Sequence, residues 1–149
     1  MEEPLVISSD HPLSTYFLGE YVITKTIQRA IEKRINVLRP IIECRYDLVL
    51  DDGLSLFRTQ VKYAGRSSPK TCKGVVPVNL NKWRNGGRRG SRCYTSAEID
   101  LLLVYVRKID KILRFGPEIF EGKGVLFIRI EPTLNNQSNG CLLASDFVW

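Results

Sequence analysis

Residues 99–106, with the sequence Ile-Asp-Leu-Leu-Leu-Val-Tyr-Val, form an apolar run that is nearly unbroken. A strand that faces water on one side alternates apolar and polar side chains. This run does not alternate, which is typical of a central strand covered on both faces. It is also far shorter than the ~20 apolar residues that a membrane-spanning helix needs. The run therefore predicts a sheet enclosed by other layers, which favours an α/β domain.

A long helix is predicted near the start of the chain. Between residues 13 and 36 apolar side chains recur at helical spacing, and Ser14 or Thr15 can cap the first turn. Lys33 and Arg34 stand near the end, where cations complement the negative end of the helix dipole. This is the strongest helix signal in the sequence.

A β-hairpin is predicted next. Pro40 ends the preceding segment, and two β-type runs at residues 41–50 and 54–63 flank an Asp-Asp-Gly turn at 51–53. Asp-Gly between such runs favours a tight turn because glycine accepts the positive φ that the turn requires. A further buried strand is expected at residues 125–130. The order of these elements predicts a small α/β domain around one mixed sheet.

Length and composition are those of one folded domain. The chain has 149 residues, of which 44% are hydrophobic and 26% charged. We expect residues 1–149 to form a single domain with an N-terminal arm at 1–12, an insertion at 65–92, and a C-terminal loop with an apolar docking segment at 135–149. The N-terminus has no basic segment followed by an apolar one, so a cytoplasmic location is expected.

Several classes of site are not predicted. The four cysteines are scattered without a C-x-x-C pair and His11 is the single histidine, which argues against zinc and favours reduced thiols. A single histidine also leaves an HNH or His-Cys-box nuclease without its general base. The sequence has no G-x-x-x-x-G-K-[ST] loop, so a nucleoside triphosphatase is not expected.

The charges are unevenly distributed along the sequence, and one long segment lacks acidic residues. No Asp or Glu occurs between Asp52 and Glu98, although ten of the 22 Lys and Arg residues fall there, and the formal net charge of the chain is +6. Segregated positive charge attracts polyanions, and a membrane surface fits less well because no amphipathic helical period accompanies it. Nucleic acid is the favoured partner, and a solvated basic loop without a partner is the alternative.

The insertion at residues 65–92 is predicted to be an extended excursion from the core that binds double-stranded DNA. A β-type ribbon fits the major groove, where Lys and Arg hold phosphates or guanine edges and Asn reads adenine. The residues predicted to contact DNA are Arg66, Lys70, Lys73, Asn79, Asn81, Lys82, Arg84, Arg88, Arg89 and Arg92.

A second constellation lies in the predicted hairpin. Alternation along its second strand places Arg58, Gln60 and Lys62 on one face. A register that sets Asp47 opposite Gln60 and Lys62 would gather a carboxylate, an amide and an ammonium. An Asp and a Lys on neighbouring strands are also an ordinary cross-strand ion pair. A non-catalytic nucleic-acid-binding module therefore stays open as an alternative.

This arrangement resembles the PD-(D/E)xK nucleases, whose core is a helix followed by a hairpin that carries an aspartate and then a (D/E)-x-K triplet. The match reads Y-D-L-V at residues 46–49 and T-Q-V-K-Y at residues 59–63. The Q-V-K triplet is most similar to that of the small intron-encoded homing endonucleases described from cyanobacteria, and the similarity extends over about residues 18–130. Two positions depart from the family pattern. Gln60 replaces the acid of the triplet, and a tyrosine rather than a proline precedes the aspartate.

The resemblance implies a restriction-endonuclease-like core and cleavage of DNA phosphodiester bonds that depends on Mg²⁺ (or Mn²⁺). Asp47 and the main-chain carbonyl of Val61 would bind the cation, and Lys62 would orient the attacking water. Gln60 would hold a water or a metal-bound oxygen, and Glu20 on the helix would accept hydrogen bonds from metal-bound waters. The implied catalytic residues are thus Glu20, Asp47, Gln60 and Lys62.

The predicted function is a site-specific, homing-type endonuclease that cuts double-stranded DNA and is bound to the nucleoid when it acts. One active site cuts one strand, so cutting both strands calls for a homo-oligomer, either a dimer or a tetramer. The apolar sequence Phe147-Val148-Trp149 is a candidate for its interface. A restriction endonuclease or a Holliday-junction resolvase would share the chemistry, and these stay open as alternatives.

Overall fold

The computed structural model describes residues 14–65, 74–81, 92–132 and 140–149. These residues form two α-helices and eight strands. The elements are α1 (Ser14–Glu32), β1 (Asn36–Leu38), β2 (Leu48–Asp51), β3 (Leu56–Ala64), β4 (Val75–Asn79), β5 (Leu101–Val106), β6 (Lys111–Phe115), α2 (Pro117–Phe120), β7 (Val125–Arg129) and β8 (Leu142–Leu143). Within the described ranges, no helix is long and apolar enough to cross a membrane.

The strands form two sheets. The larger has the order β1-β2-β3-β5-β6, in which only β3 and β5 pair in parallel. The smaller has the order β4-β7-β8, with β7 and β8 parallel. The mixed pairing predicted from the sequence is confirmed, but the prediction of a single sheet is wrong. A strand that is apolar on both faces needs two covers, and the second sheet supplies one of them.

Strand β5 has helix α1 on one side and the smaller sheet on the other. All six of its residues are buried, as the apolar run predicted. Residues 101, 103 and 105 pack in one apolar cluster with α1, whereas residues 102, 104 and 106 pack in another with the smaller sheet. Full burial of one Val or Leu side chain contributes about 1.5–3 kcal/mol. This strand therefore holds the two layers together.

The predicted long helix is confirmed as α1. It ends at Glu32 because Arg34 adopts a left-handed backbone with φ of 61°, and β1 then begins at Asn36. The fully buried residues of the helix, spaced by four, are Val22, Thr26 and Ala30. The Thr26 hydroxyl donates to the Val22 carbonyl oxygen at 3.0 Å, so its polar group is satisfied inside the core.

The hairpin between β2 and β3 is also confirmed. Gly53 has φ of +87°, and the Asp52 carboxylate accepts hydrogen bonds from the main-chain N–H groups of Leu54 and Ser55 at 2.9 and 2.8 Å. The first strand is shorter than predicted because it begins at Leu48. Residues 41–47 lie before it in irregular structure, where the Ile41 side chain is fully exposed.

The prediction that the whole of residues 65–92 leaves the core is wrong for its middle part. Val76, Val78 and Leu80 are buried in the cluster between the two sheets, and β4 pairs with β7. Burying these apolar side chains is favoured over leaving them in a solvated ribbon. The flanking segments 66–73 and 82–91 lie outside the described residues.

The C-terminal residues pack against their own chain. The rings of Phe147 and Phe115 lie 4.8 Å apart. The Trp149 N–H donates to the Ile112 carbonyl at 2.9 Å, and the Arg29 side chain donates to the Trp149 carbonyl at 2.9 Å. Phe147 and Trp149 thus pack on β6 and α1, whereas the Val148 side chain is half exposed, and the expected role of this segment in a subunit interface stays a prediction.

Candidate active site

The hairpin register brings Asp47 next to the Gln60 side chain. Leu48 pairs with Thr59, and the Asp47 N–H donates to the Thr59 carbonyl at 2.9 Å. Asp47 thus lies at the end of the β2–β3 ladder, where the main-chain N–H of Val61 is turned toward it. The Asp47 Oδ2 atom accepts hydrogen bonds from the Val61 N–H at 2.9 Å and from Gln60 Nε2 at 2.6 Å.

The amide nitrogen of Gln60 contacts two oxygens that belong to different groups. Besides Asp47 Oδ2, it lies 3.3 Å from the main-chain carbonyl oxygen of Val61. A donor with partial positive charge therefore bridges a carboxylate and a carbonyl. Both are hard oxygen ligands of the kind that Mg²⁺ and Mn²⁺ prefer, so the residues present fit a divalent cation.

Side chains alone do not form a metal site among the described residues. Among the described residues, no group of three or more His, Cys, Asp or Glu side chains is close enough to hold a metal ion. The sequence-predicted ligand pair of Asp47 and Val61 needs the main chain as well as a carboxylate. An ion bound there would keep several water ligands, as Mg²⁺ commonly does.

Lys62 lies on the same face of β3 as Gln60. Thr59 and Val61, on the opposite face, are buried, whereas Gln60 and Lys62 are half-buried. The face assignment made from the sequence is correct. The Lys62 Nζ atom lies 5.5 Å from the centre of the Tyr94 ring.

Glu20 forms a two-pronged ion pair with Arg39, a residue that the sequence analysis overlooked. The guanidinium donates to both carboxylate oxygens at 2.9 and 3.1 Å, and 58% of the Glu20 side chain is exposed. The hydrogen bonds from Arg39 hold the pKa of Glu20 below its usual range. Glu20 and then Asp47 raise the pKa of Arg39, so the guanidinium lies within electrostatic reach of both carboxylates.

A second group of charges lies behind Tyr94. The Arg45 guanidinium carbon is 4.3 Å from the Tyr94 ring centre, and its Nη2 donates to the main-chain carbonyls of Arg92 and Cys93. The Glu98 carboxylate pairs with Arg45 at 3.4 Å and with Arg92 at 2.9 Å. The contacts of Arg45 do not follow a local sequence pattern, because they join segments about 50 residues apart.

Burial and charge shift two pKa values in this group. Burial raises the pKa of Tyr94 to about 12, and the negative charges of Asp47 and Glu98 act in the same direction. Burial also acts to raise the pKa of Glu98, but the charges of Arg45 and Arg92 outweigh it and leave that pKa below its usual range. Tyr94 is therefore a neutral phenol and Glu98 a carboxylate at neutral pH.

Three of the ten residues predicted to contact DNA are described. Asn79 accepts a hydrogen bond from the Asn81 N–H at 2.8 Å, and the Asn81 side chain accepts one from the Cys93 thiol at 3.6 Å. Arg92 is exposed and pairs with Glu98. The others, which lie outside the described residues, are Arg66, Lys70, Lys73, Lys82, Arg84, Arg88 and Arg89.

The family of the chain follows from comparison with known proteins. A family model described as PD-(D/E)XK endonuclease matches residues 13–149. The chain belongs to the PD-(D/E)XK endonuclease family. It is thus a DNA nuclease, and the alternative of a non-catalytic binding module is set aside. Members of this family generally use divalent metal ions.

A solved structure supports the same assignment. This PD-(D/E)XK endonuclease is similar to the bacterial homing endonuclease I-Ssp6803I, with 25% sequence identity and a TM-score of 0.73. The similarity covers 91% of this chain and 88% of the other. The predicted restriction-endonuclease-like α/β fold is therefore confirmed. A comparison with curated proteins gave no match.

Proposed function

We propose that this PD-(D/E)XK endonuclease is a site-specific, homing-type enzyme that hydrolyses phosphodiester bonds in double-stranded DNA with Mg²⁺ or Mn²⁺. The similarity to a bacterial homing endonuclease over most of both chains supports this proposal. So does the interval between Asp52 and Glu98, which contains ten basic residues and no acids. Such a field attracts the phosphate backbone and makes binding depend on salt.

The observation that carries the proposal is the position of the Gln60 amide. Its nitrogen lies within hydrogen-bond distance of both Asp47 Oδ2 and the Val61 carbonyl oxygen. Rotation of this side chain about its last bond would exchange nitrogen for oxygen, and the three groups would then present oxygens to one cation. A divalent ion bound there would polarise the scissile phosphate and lower the pKa of a bound water.

The chain's own residues have separate tasks in this reaction. Asp47 and the Val61 carbonyl would hold the cation, and Gln60 would hold a water or a metal-bound oxygen. Lys62 would orient the attacking water and offset the negative charge that develops on the phosphate oxygens. The Glu20–Arg39 pair would accept and donate hydrogen bonds at the edge of the site, within reach of bound waters.

Cutting both strands needs two active sites, so we infer that the enzyme acts as a homo-oligomer, either a dimer or a tetramer. Its place of action would be the cytoplasm, on nucleoid DNA. Size-exclusion chromatography with light scattering measures the assembly directly. A monomer at the concentration where duplex DNA is cut on both strands would contradict this part of the proposal.

The test is selection of cleaved sites from a duplex library in the presence of Mg²⁺. Wild type should enrich a defined sequence, whereas Asp47→Ala and Lys62→Ala should each lower the cleavage rate by at least about 100-fold. Asp146→Ala and Lys111→Ala are matched controls because both residues are exposed, and because Lys111 is on β6 and Asp146 follows β8, where no site residue lies. Cleavage by wild type without sequence preference would contradict the homing assignment.

A restriction enzyme and a junction resolvase share this chemistry. Linear duplexes and four-way junctions of the same sequence distinguish them by DNA shape. Faster cleavage of the four-way junction would indicate a junction resolvase and contradict the homing proposal. A short symmetric target in the library selection would instead favour a restriction-type enzyme.

A further inference from the structure

Lys62 reaches the active site on a long and flexible side chain. A lysine ammonium is a point charge on four methylene groups, and many conformers would place it away from the reacting atoms. A misplacement of about 1 Å in a catalytic group can lower the rate roughly 100-fold. Some neighbouring group must therefore restrict its position.

The Tyr94 ring is within range to do this. Lys62 Nζ lies 5.5 Å from the ring centre, inside the distance of ~6 Å at which the π face of an aromatic ring attracts a cation. Tyr94 is also rigidly held, since its side chain is 1% exposed and its main-chain carbonyl accepts a hydrogen bond from the Gly122 N–H. A fixed ring gives the ammonium a fixed partner.

A second cation lies against the same ring. The Arg45 guanidinium carbon lies 4.3 Å from its centre, and Arg45 is anchored by main-chain carbonyls and by Glu98. Glu98, which also pairs with Arg92, offsets positive charge beside the ring. Arg45 is thus a second cation at the ring, and its contribution is separable from that of Lys62.

We propose that Tyr94 is a positioning residue of this endonuclease and holds the Lys62 ammonium at the active site through the π face of its ring. This inference rests on the role proposed above for Lys62. The ring acts through its electron density rather than through chemistry of its own. Tyr94 should therefore affect the turnover of bound DNA and not the binding of DNA.

The experiment replaces Tyr94 with phenylalanine and then with mono-, di- and trifluorinated phenylalanine in the full-length enzyme. Fluorine withdraws electrons from the π face and changes the shape of the ring little, so the core stays filled. We expect Tyr94→Phe to retain at least about half of kcat, and kcat to fall stepwise to about one tenth with three fluorines, at unchanged KM for duplex DNA. A constant kcat, or a KM that rises in parallel with the fall in kcat, would overturn the inference.

Two controls separate positioning from stability. Phe120 is fully buried in the same core cluster, so the same fluorinated series at position 120 should match any change in Tm while leaving kcat constant. Repeating the Tyr94 series with Arg45→Met tests which cation matters. The fall in kcat should persist, and its disappearance would assign the ring to Arg45 and overturn the inference.

The activity of Lys62→Ala distinguishes failure of this inference from failure of the proposed function. If Lys62→Ala cuts DNA as fast as wild type, the role proposed for Lys62 is wrong, and the inference about Tyr94 fails with it. If Lys62→Ala is inactive and the fluorinated series shows constant kcat, only the inference about Tyr94 fails.

Discussion

Gln60 occupies the acid position of the (D/E)-x-K triplet. An amide stands where the family pattern has an acid, and it donates a 2.6 Å hydrogen bond to the remaining carboxylate. An amide can offer a cation one neutral oxygen, whereas a carboxylate also brings negative charge. The site is therefore expected to bind its cation weakly before DNA adds phosphate oxygens.

Restoring the acid at position 60 should destabilise the metal-free protein and strengthen the binding of the cation. In Gln60→Glu, two carboxylates lie side by side without a donor between them, so the metal-free protein should melt at a lower temperature than wild type. Mg²⁺ should bind about tenfold more tightly and produce a larger rise in Tm. Calorimetric titration with Mg²⁺ measures the affinity, and Gln28→Glu on the exposed face of α1 is the control. An unchanged affinity would show that position 60 does not contact the cation.

Glu98 should make stability depend on pH. Its pKa is lowered in the folded protein, so its contribution is present above the ordinary carboxyl pKa and is lost as the pH falls through the lower, folded value. We expect Glu98→Gln to lower the free energy of unfolding by about 1–3 kcal/mol at pH 7. The gap to wild type should narrow below about pH 4.5. Urea unfolding across that range is the measurement, and a gap independent of pH would contradict the prediction.

At the level of elements, β3 and β5 are joined by more than their ladder. The Arg58 side chain donates to both Asp100 carboxylate oxygens at 2.9 and 3.0 Å and to the Ala97 carbonyl, and the Asp100 N–H donates to the Arg58 carbonyl. The hydrogen bonds from Arg58 hold the pKa of Asp100 below its usual range. This pair fixes the start of the parallel ladder, whose register sets which face of β3 carries Gln60 and Lys62.

Asp100→Asn should weaken that junction. The amide keeps the shape but loses the charge and one acceptor, so we expect the free energy of unfolding to fall by about 1–2 kcal/mol. Because register is set at this point, kcat should fall as well. Asp146 is exposed, so Asp146→Asn should change neither the free energy of unfolding nor kcat. Chemical denaturation and cleavage rates on the same samples provide the comparison.

The elements that the sequence predicted well are those with strong local signals. The helical period gave α1, the Asp-Gly turn gave the hairpin, and the uninterrupted apolar run gave β5. The strand at 125–130 was predicted as buried, but in β7 only Leu126 and Ile128 are buried, because one face of the smaller sheet is open. Strands β1, β6 and β8 were missed because they are short or contain charged residues, and the neighbouring strands determine them.

The candidate site likewise contains residues that local patterns predicted and residues that they did not. Alternation and the family motif correctly placed Gln60 beside Asp47 and set Lys62 on the same face of β3 as Gln60. Arg39, Arg45 and Tyr94 were not recognised, since an arginine or a tyrosine in isolation carries no periodic signal. Their roles follow from contacts between segments distant in sequence, such as the pairing of Arg39 with Glu20. Predicting them needs the three-dimensional arrangement of strands.

For the whole molecule, the parallel pairing of β3 with the fully buried β5 has a consequence for how the protein opens. The slowest hydrogen exchange in a protein occurs in strands that are released only by global unfolding. Residues 59–64 of β3 pair with β5, and because the Val61 N–H faces Asp47, alternation turns the N–H groups of Gln60, Lys62 and Ala64 toward β5. The amide protons of these three residues should therefore exchange in that slowest class. The motions that admit DNA must then occur in other parts of the chain, while the strand that carries Gln60 and Lys62 stays closed. Heating should abolish cleavage at the same temperature at which circular dichroism reports global unfolding. Loss of activity at a lower temperature would show that β3 opens on its own.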